Sequence, residues 1–255
     1  MPAAAYWELL MNLARREVKG RYSQSFFGVV WAIAQPLATM AVFTLVFSRL
    51  AKLPSDGVPY PLFAFAALVP WFFFTNSVSS GTLSLITYRN IVTKTYFPRE
   101  VIPLAQILSR GIDFLASAAL YAALTVHYRV GLGAWALAAP GFLGLLLLFT
   151  VGLTLLTSAV NVFYRDVNPV VQIALQLWVF VTPVAYPLAA VPERFRWLFV
   201  LNPLSAIVEG LRASLIFNRP PDPSLTLAAS VVTLLVLTSA WFTFKGADKY
   251  FADVI

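Results

Sequence analysis

The chain has 255 residues, of which 60% are apolar and 11% are charged, and its formal net charge is +7. Soluble domains carry roughly a quarter charged residues, and the charge-free runs at 60–87 and 132–163 exceed the ~20 residues that span a bilayer, so a multi-pass membrane protein is predicted. The absence of cysteine and the single histidine exclude disulfides, thiolate metal sites and histidine clusters, and basic residues beside apolar spans favour anionic membrane lipids, not nucleic acid, as partners.

The first predicted element is an amphipathic helix over residues 5–22. Its apolar side chains recur at helical spacing, at Tyr6, Leu9, Leu10, Leu13 and Ala14. Such a helix lies in the membrane interface instead of crossing the membrane. A signal peptide is the alternative, but the apolar stretch at 26–48 is longer than the ~7–15 residues of a signal-peptide core. We therefore interpret 26–48 as the first span.

Five further spans follow along the chain. Apolar runs of spanning length predict them at 60–87, 101–126, 135–163, 168–186 and 224–244. Segment 190–218 is apolar in bulk but holds several charges, each of which costs ~2.5 kcal/mol or more at mid-bilayer. We therefore interpret it as an external re-entrant helical hairpin broken at Asn202-Pro203. The predicted fold is one all-α polytopic membrane domain over 1–255 with six transmembrane helices.

The charged break at 88–100 indicates the orientation of the chain. It separates the second and third predicted spans, and Lys and Arg are more frequent on its side of the membrane. An excess of these residues is typical of cytoplasmic loops. We therefore predict that 88–100 is cytoplasmic, together with both termini, and that it receives mechanical input from a partner.

The sequence has no constellation for catalysis or nucleotide binding. It lacks a G-x-x-x-x-G-K-[ST] loop to hold phosphates. Its cytoplasmic carboxylates are few and unpaired, whereas a sugar-nucleotide enzyme needs clustered acidic residues to hold a metal. We predict a transport subunit that is not an enzyme and that holds no metal or cofactor, so energy from ATP would require a separate chain.

Charged pairs and aromatic residues inside the spans each have two interpretations. Arg110 and Asp113 are three residues apart and either neutralise each other or take part in gating. Glu209 and Arg212 share this spacing in the hairpin, where we favour a moving element. Mid-span aromatic residues either pack between helices or line a channel and stack on sugar rings, and these are Trp31, Phe72, Phe74, Trp178 and Phe180.

Four stretches that cover nearly the whole chain point to a family. They are ARREVKGRYSQSFFGVVWAIAQP, KTYFPREVIP, FYRDVNPVVQIALQLWVFVTPVAYP and LNPLSAIVEGLRASLIF. In these stretches the chain resembles the permease subunit of type-two ATP-binding-cassette exporters, in the O-antigen and capsular-polysaccharide branch. The resemblance implies a homodimer in the bacterial inner membrane that encloses a channel for a lipid-linked polysaccharide. It also implies two ATPase subunits, which bind ATP and Mg.

The resemblance implies roles for particular residues as well. The ATPase contact falls on Lys94, Thr95, Tyr96, Phe97, Pro98, Arg99 and Glu100, and on Tyr164, Arg165 and Asp166. The lipid head group falls to Lys19, Arg21 and Arg89. The external gate falls to Asn202, Pro203, Glu209 and Arg212. Alternatives are a permease for teichoic acid or a small amphiphile, a membrane enzyme for polyprenyl-linked sugars, and a secondary transporter with Arg110 and Asp113 as an ion relay.

Overall fold

The structure is all α-helical over the residues that it describes. The computed structural model describes residues 3–23, 30–52, 55 and 57–254, and these ranges contain no strand. This confirms the predicted fold class. The α-helices in these ranges are α1 Ala3–Tyr22, α2 Val30–Phe43, α3 Tyr60–Thr87, α4 Arg89–Lys94, α5 Val101–His127, α6 Ala139–Phe163, α7 Val167–Val181, α8 Arg196–Val200, α9 Pro203–Leu215, α10 Pro223–Asp248 and α11 Phe251–Val254.

Five of the described helices are long and apolar enough to cross a membrane. They are Val30–Leu50, in which α2 continues as a π-helix, together with α3, α5, α10, and α6 with the 3-10 turn before it. The pair Glu193–Val200 and Pro203–Leu215, bent by 97° at a short break, is either a broken sixth span or a re-entrant loop. Helix α7, at 15 residues, is a shorter apolar helix. The start of the first predicted span, at 26, lies outside the described residues.

The predicted fifth span is wrong in its last five residues. Helix α7 ends at Val181, not at 186, and Thr182 is extended, with φ −111° and ψ 134°. Pro183 is the cause, because a proline ring keeps the residue before it out of the helical region. Residues 182–187 are irregular backbone, and their buried carbonyl groups need hydrogen-bond donors from elsewhere in the chain.

Helix α3 is the centre of the bundle. In its most apolar stretch 72% of the residues are buried, compared with 6% for Val30–Leu50. It packs against α5 and α6. Helix α6 packs in turn on α10, and the two backbones come close at Gly152, where an added Cβ would lie 3.0 Å from the Leu237 Cα. The outer helices thus present apolar surface to lipid or to another subunit.

Helix α1 packs its apolar side on the start of α5. Leu10 and Ala14 are buried there in one cluster with Val101 and Ala105. Trp7, on another side of α1, is 61% exposed. The apolar stripe that the sequence predicts for α1 is therefore covered largely by protein, which fixes α1 beside the polar cavity described below.

Candidate functional site

Both predicted coupling breaks lie at one end of the bundle. The C-terminal helix α11 joins them, because it contacts α4 as well as the end of α6. Phe251 of α11 is fully buried, in a cluster with Val92 of α4, and its ring centroid lies 6.1 Å from that of Phe163. Sequence reasoning assigned no role to this tail. The rings of Phe244 and Phe251 are in contact at 5.3 Å between centroids because the chain turns at residues 249–250 between the two helices. Residues seven apart lie about 10 Å apart along a continuous helix, so their spacing gave no signal of this contact.

The exposed part of the coupling segment is its middle. Lys94, Thr95 and Tyr96 are exposed, and the Tyr96 side chain is completely so. Tyr164 is 69% exposed at the second break, where Arg165 and Asp166 are exposed beside it. Aromatic rings presented to solvent among charged groups are typical of protein contact surfaces. We call the exposed residues of 94–96 and 164–166 the coupling surface.

Arg99 and Glu100 of the predicted ATPase contact lie against α10. Glu100 is only 5% exposed, and it accepts a bond from the Lys245 ammonium at 2.7 Å. Arg99 donates to the Asp248 carbonyl oxygen, and its guanidinium lies 3.6 Å from the carboxylate of that residue. The buried, paired carboxylate of Glu100 presents little surface to another chain. Together with the partly exposed Arg99, it anchors the coupling segment to α10. Phe97 and Pro98 are half-buried between the exposed and the anchored parts.

A polar cavity of about 230 Å³ opens between α1, α2, α3 and α5. It brings together residues of two predicted sets, Arg21 of the head-group set and the channel aromatics Trp31 and Phe72. Arg110 and Asp113 also line it. The remaining lining residues are Tyr22, Ala32, Gln35, Pro36, Val69, Phe73, Asn76, Phe114 and Ser117. Aromatic rings next to amide and charged groups can bind polar ligands such as carbohydrates.

The charged centre of this cavity is one carboxylate between two guanidinium groups. Asp113 accepts bonds from Arg21 at 2.8 Å and from Arg110 at 3.4 Å. The Tyr22 hydroxyl donates to its other oxygen, and Arg21 also donates to the Ser109 hydroxyl at 2.8 Å. The Arg110–Asp113 pair expected from the sequence is therefore present. Its third member, Arg21, comes from 92 residues away in the chain, so spacing alone could not reveal it.

The other two predicted head-group residues lie apart from this centre. Lys19 is exposed on α1 beside an open surface groove, and Arg89 is exposed at the start of α4. Only Arg21 of the three reaches the cavity. Tyr88, next to Arg89, donates its hydroxyl proton to Glu17. Burial, followed by this bond to Glu17, raises the pKa of Tyr88 to about 12. The bond itself joins α1 to the coupling segment.

The predicted channel aromatics separate into buried and exposed residues. Phe74 is fully buried, stacks on Phe149 at 5.5 Å with an interplanar angle of 9°, and meets Trp178 edge-on at 5.6 Å. A ring closed in by its own subunit cannot line a channel, which corrects the prediction for Phe74. Phe180 is 68% exposed and Trp31 is 57% exposed, so both can face a second subunit, a channel or lipid.

Arg212 of the predicted external gate is a fully buried anchor. None of its side chain is exposed. It donates to the Pro183 and Val184 carbonyl oxygens, both at 2.6 Å, and to the Phe63 carbonyl oxygen at 3.2 Å. Its charge is balanced by Glu209 at 3.1 Å. Any displacement of Arg212 relative to residues 183–184 would leave buried carbonyl groups unbonded, so a movement of the predicted gate would have to carry both segments together.

Asn202 completes the support of the irregular segment. Its amide nitrogen donates to the Val181 carbonyl oxygen at 3.1 Å and to the Thr182 hydroxyl at 3.0 Å. Its amide oxygen accepts from the Leu204 backbone nitrogen at 3.1 Å and caps α9, which Pro203 then opens at a position that needs no donor. The predicted break at Asn202-Pro203 is thus present, and one side chain joins it to the end of α7.

Comparison with known proteins relates the chain to transport permeases. The sequence model of the family described as ABC-2 type transporter matches residues 8–216. The O-antigen export system permease protein RfbA of Myxococcus xanthus is 31% identical, over 98% of this chain and 96% of that protein. A protein of the same name from Klebsiella pneumoniae is 31% identical over 79% of this chain and 78% of its own. The polysialic acid transport protein KpsM of Escherichia coli is 25% identical over 76% of each chain.

Proposed function

The chain belongs to the ABC-2 type transporter family as a multi-pass membrane permease, and on that premise we propose that two copies form an ATP-driven exporter of a lipid-linked polysaccharide in the bacterial inner membrane. The permease holds no cofactor in this proposal. ATP and Mg are bound by two ATPase subunits, which are separate chains. The observation that carries the proposal is the similarity, over nearly the full length, to a permease named for O-antigen export.

The coupling surface supports the proposed ATPase contact. It gathers exposed side chains from two distant breaks, among them Tyr96 and Tyr164, at the end where α11 joins α4 to α6. An ATPase bound there would push on the coupling segment, whose end is anchored to α10 through Arg99 and Glu100. Movement of the partner would then reach the last span directly. In this orientation the coupling surface and both termini face the cytoplasm.

The polar cavity and the exposed aromatics support a glycan as cargo. Trp31 and Phe72 border the cavity next to Gln35 and Asn76. Flat rings pack against the C–H faces of sugars, while amide groups bond their hydroxyls. Phe180 offers a further exposed ring at the end of α7. A second subunit that faces these surfaces would enclose them as a path for an extended glycan.

Deletion and complementation test the proposed function. In a bacterium from which this chain has been removed, we expect lipid-linked glycan to accumulate inside and surface glycan to be lost, and the wild-type chain should restore both. Unchanged surface glycan in the deletion strain would refute the proposal.

Tyr96 tests the coupling surface within the same strain. Tyr96→Ala should reduce both export and co-purification of the ATPase, because its ring is a large exposed side chain with which a partner can make contact. Tyr96→Phe keeps the ring and is the matched control. Full export by Tyr96→Ala with normal ATPase binding would remove this surface from the mechanism.

A further inference from the structure

One buried ring, that of Phe251 in α11, lies between the two breaks that form the coupling surface. The residue is fully buried. It packs in one cluster with Val92 of α4, the helix that leads into residues 94–96, and its ring centroid lies 6.1 Å from that of Phe163, directly before the second break. Phe251 is therefore placed between the supports of both halves of the coupling surface.

Helix α4 depends on α11 for its packing. Within the described residues, α4 packs most extensively on α11 and less extensively on α3, and it makes little direct contact with α6. It has only six residues, and isolated helices shorter than ~12–15 residues are marginally stable in water, so α4 needs these tertiary contacts. The orientation of α4, and of the exposed residues that follow it, is therefore set largely by α11.

The end of α10 fixes the other side of the same exposed segment. The Lys245 ammonium donates to the buried Glu100 carboxylate at 2.7 Å, and Arg99 donates to the Asp248 carbonyl oxygen. Residues 94–96 thus lie between two fixed points, with α11 on one side and the end of α10 on the other. Because α11 directly follows α10 in the chain, both points belong to one continuous support.

We infer that Phe251 is a positioning residue for the coupling of ATP hydrolysis to export, and that it makes the two breaks of the coupling surface move as one unit. A close-packed interior transmits displacement because its side chains are hard to compress. A push on residues 164–166 therefore moves Phe163 against Phe251, and Phe251 moves α4 with it. The inference rests on the proposed function for the ATPase that delivers this push.

A purely structural role for Phe251 leads to different expectations. Loss of a core ring lowers the amount of folded, active complex, so ATP hydrolysis and glycan transport fall in proportion. Loss of positioning instead lowers the glycan transported for each ATP hydrolysed, and it lets the two breaks move separately. The glycan-to-ATP ratio and the distance between the breaks are therefore the two measurements that distinguish the roles.

Spin labels at exposed positions measure whether the two breaks move together. The chain has no cysteine, so Thr95→Cys and Arg165→Cys supply one labelling site in each break. Labelled chains are diluted with unlabelled chains in lipid nanodiscs, and pulsed electron paramagnetic resonance then reports the distance within one chain. We expect a narrow distance distribution, which Phe251→Ala broadens. A distribution that Phe251→Ala leaves unchanged would overturn the inference.

Transport by the reconstituted permease–ATPase complex measures the coupling itself. The complex is placed in proteoliposomes with the lipid-linked glycan extracted from the deletion strain, and hydrolysed ATP and transported glycan are both measured. Phe251→Ala should retain ATPase binding and lower the glycan transported per ATP at least about twofold, as substitutions along a coupling path do. Phe251→Leu keeps most of the buried apolar volume and should recover much of this ratio. An unchanged ratio in Phe251→Ala would overturn the inference.

Two alanine variants are the controls for this experiment. Tyr250→Ala changes the neighbouring ring, which is 50% exposed, and should leave the ratio unchanged. Phe65→Ala removes a fully buried ring from the separate cluster around α3, so it should lower stability without changing the ratio. Equal losses of the ratio in Phe65→Ala and Phe251→Ala would overturn the inference, because lost stability would then account for both.

Folding and the proposed function are followed separately from coupling. Thermal unfolding accompanies each variant. If Phe251→Ala does not fold, Val92→Ala takes its place in both measurements with the same expected results, because it removes fewer buried carbon atoms from the other side of the contact. A wild-type chain that restores surface glycan to the deletion strain retains the proposed function, so a negative result with the Phe251 variants overturns only this inference.

Discussion

Replacement of Arg212 should cost far more stability than replacement of an arginine with the same sequence spacing. Arg212 and Arg196 each have a glutamate three residues before them. In Arg212→Met the Pro183 and Val184 carbonyl oxygens, now bonded at 2.6 Å, lose their donor inside the protein. At ~1.5–3 kcal/mol for each bond to a charged group, these two bonds alone amount to roughly 3 kcal/mol or more.

The control for this prediction is Arg196→Met. Its pair with Glu193 is long, at 3.8 Å, and the two side chains are 49% and 90% exposed. Exposed ion pairs contribute little to stability, so we expect the free energy of unfolding to change by less than ~0.5 kcal/mol. The loss of stability in Arg212→Lys should lie between those of Arg212→Met and Arg196→Met. An ammonium keeps the charge, but it cannot bond all the carbonyl groups that the guanidinium reaches.

Thermal unfolding in detergent, followed by near-ultraviolet circular dichroism, measures the difference. At roughly 2–4 °C per kcal/mol, the midpoint of Arg212→Met should fall by about 6–12 °C, while that of Arg196→Met should stay within about 2 °C. Hydrogen-bond partners that the unfolded chain finds in a membrane or micelle reduce such losses of stability. We therefore expect a shift nearer the lower end of this range. Equal shifts in the two variants would refute the anchor role.

Three further predictions use the same unfolding assay. Lys245→Met should destabilise the protein more than Glu100→Gln does, because the first leaves the buried Glu100 carboxylate unpaired and the second leaves an ammonium that reaches water. The reverse order would contradict the anchoring of the coupling segment. Gly152→Ala should lower the free energy of unfolding by roughly 1–3 kcal/mol, because the added methyl group forces α6 away from α10. Gly144→Ala is the control and should leave stability unchanged, because there is open space around its Cβ. If both variants are neutral, α6 and α10 are not closely packed at Gly152. Phe74→Ala should lower the free energy of unfolding by about 3–5 kcal/mol, because it removes a ring from the core. Normal stability combined with reduced export would instead support the prediction that Phe74 lines the channel.

Most of the helices could be predicted because the signal for a span is local. A run of apolar residues about 20 long requires a membrane wherever it occurs in a chain, and the structure has such helices at Tyr60–Thr87, Val101–His127, Ala134–Phe163 and Pro223–Asp248. Proline and asparagine at 202–203 likewise predict the break that the structure shows there. The exception, the early end of α7 at Val181, also has a local cause in Pro183, which the length of the apolar run concealed.

The partners of charged side chains could be predicted only in part. The i,i+3 pairs Arg110–Asp113 and Glu209–Arg212 follow from helix geometry and are present. The bond from Arg21 to Asp113 joins residues 92 apart in the chain, and that from Lys245 to Glu100 joins residues 145 apart. No sequence spacing indicates such contacts, because they arise when separate helices pack.

By itself, the sequence determined that this protein is an all-α membrane permease with charged breaks between its spans, since hydrophobic length and helix-breaking residues act on neighbouring positions. Only the tertiary structure decided what those charges do. It shows that Glu100 anchors the coupling segment, that Arg212 holds irregular backbone, and that Arg21 and Arg110 share Asp113 beside a polar cavity. The reason is physical: a buried charge must find its partner wherever packing places one, and packing depends on the whole chain.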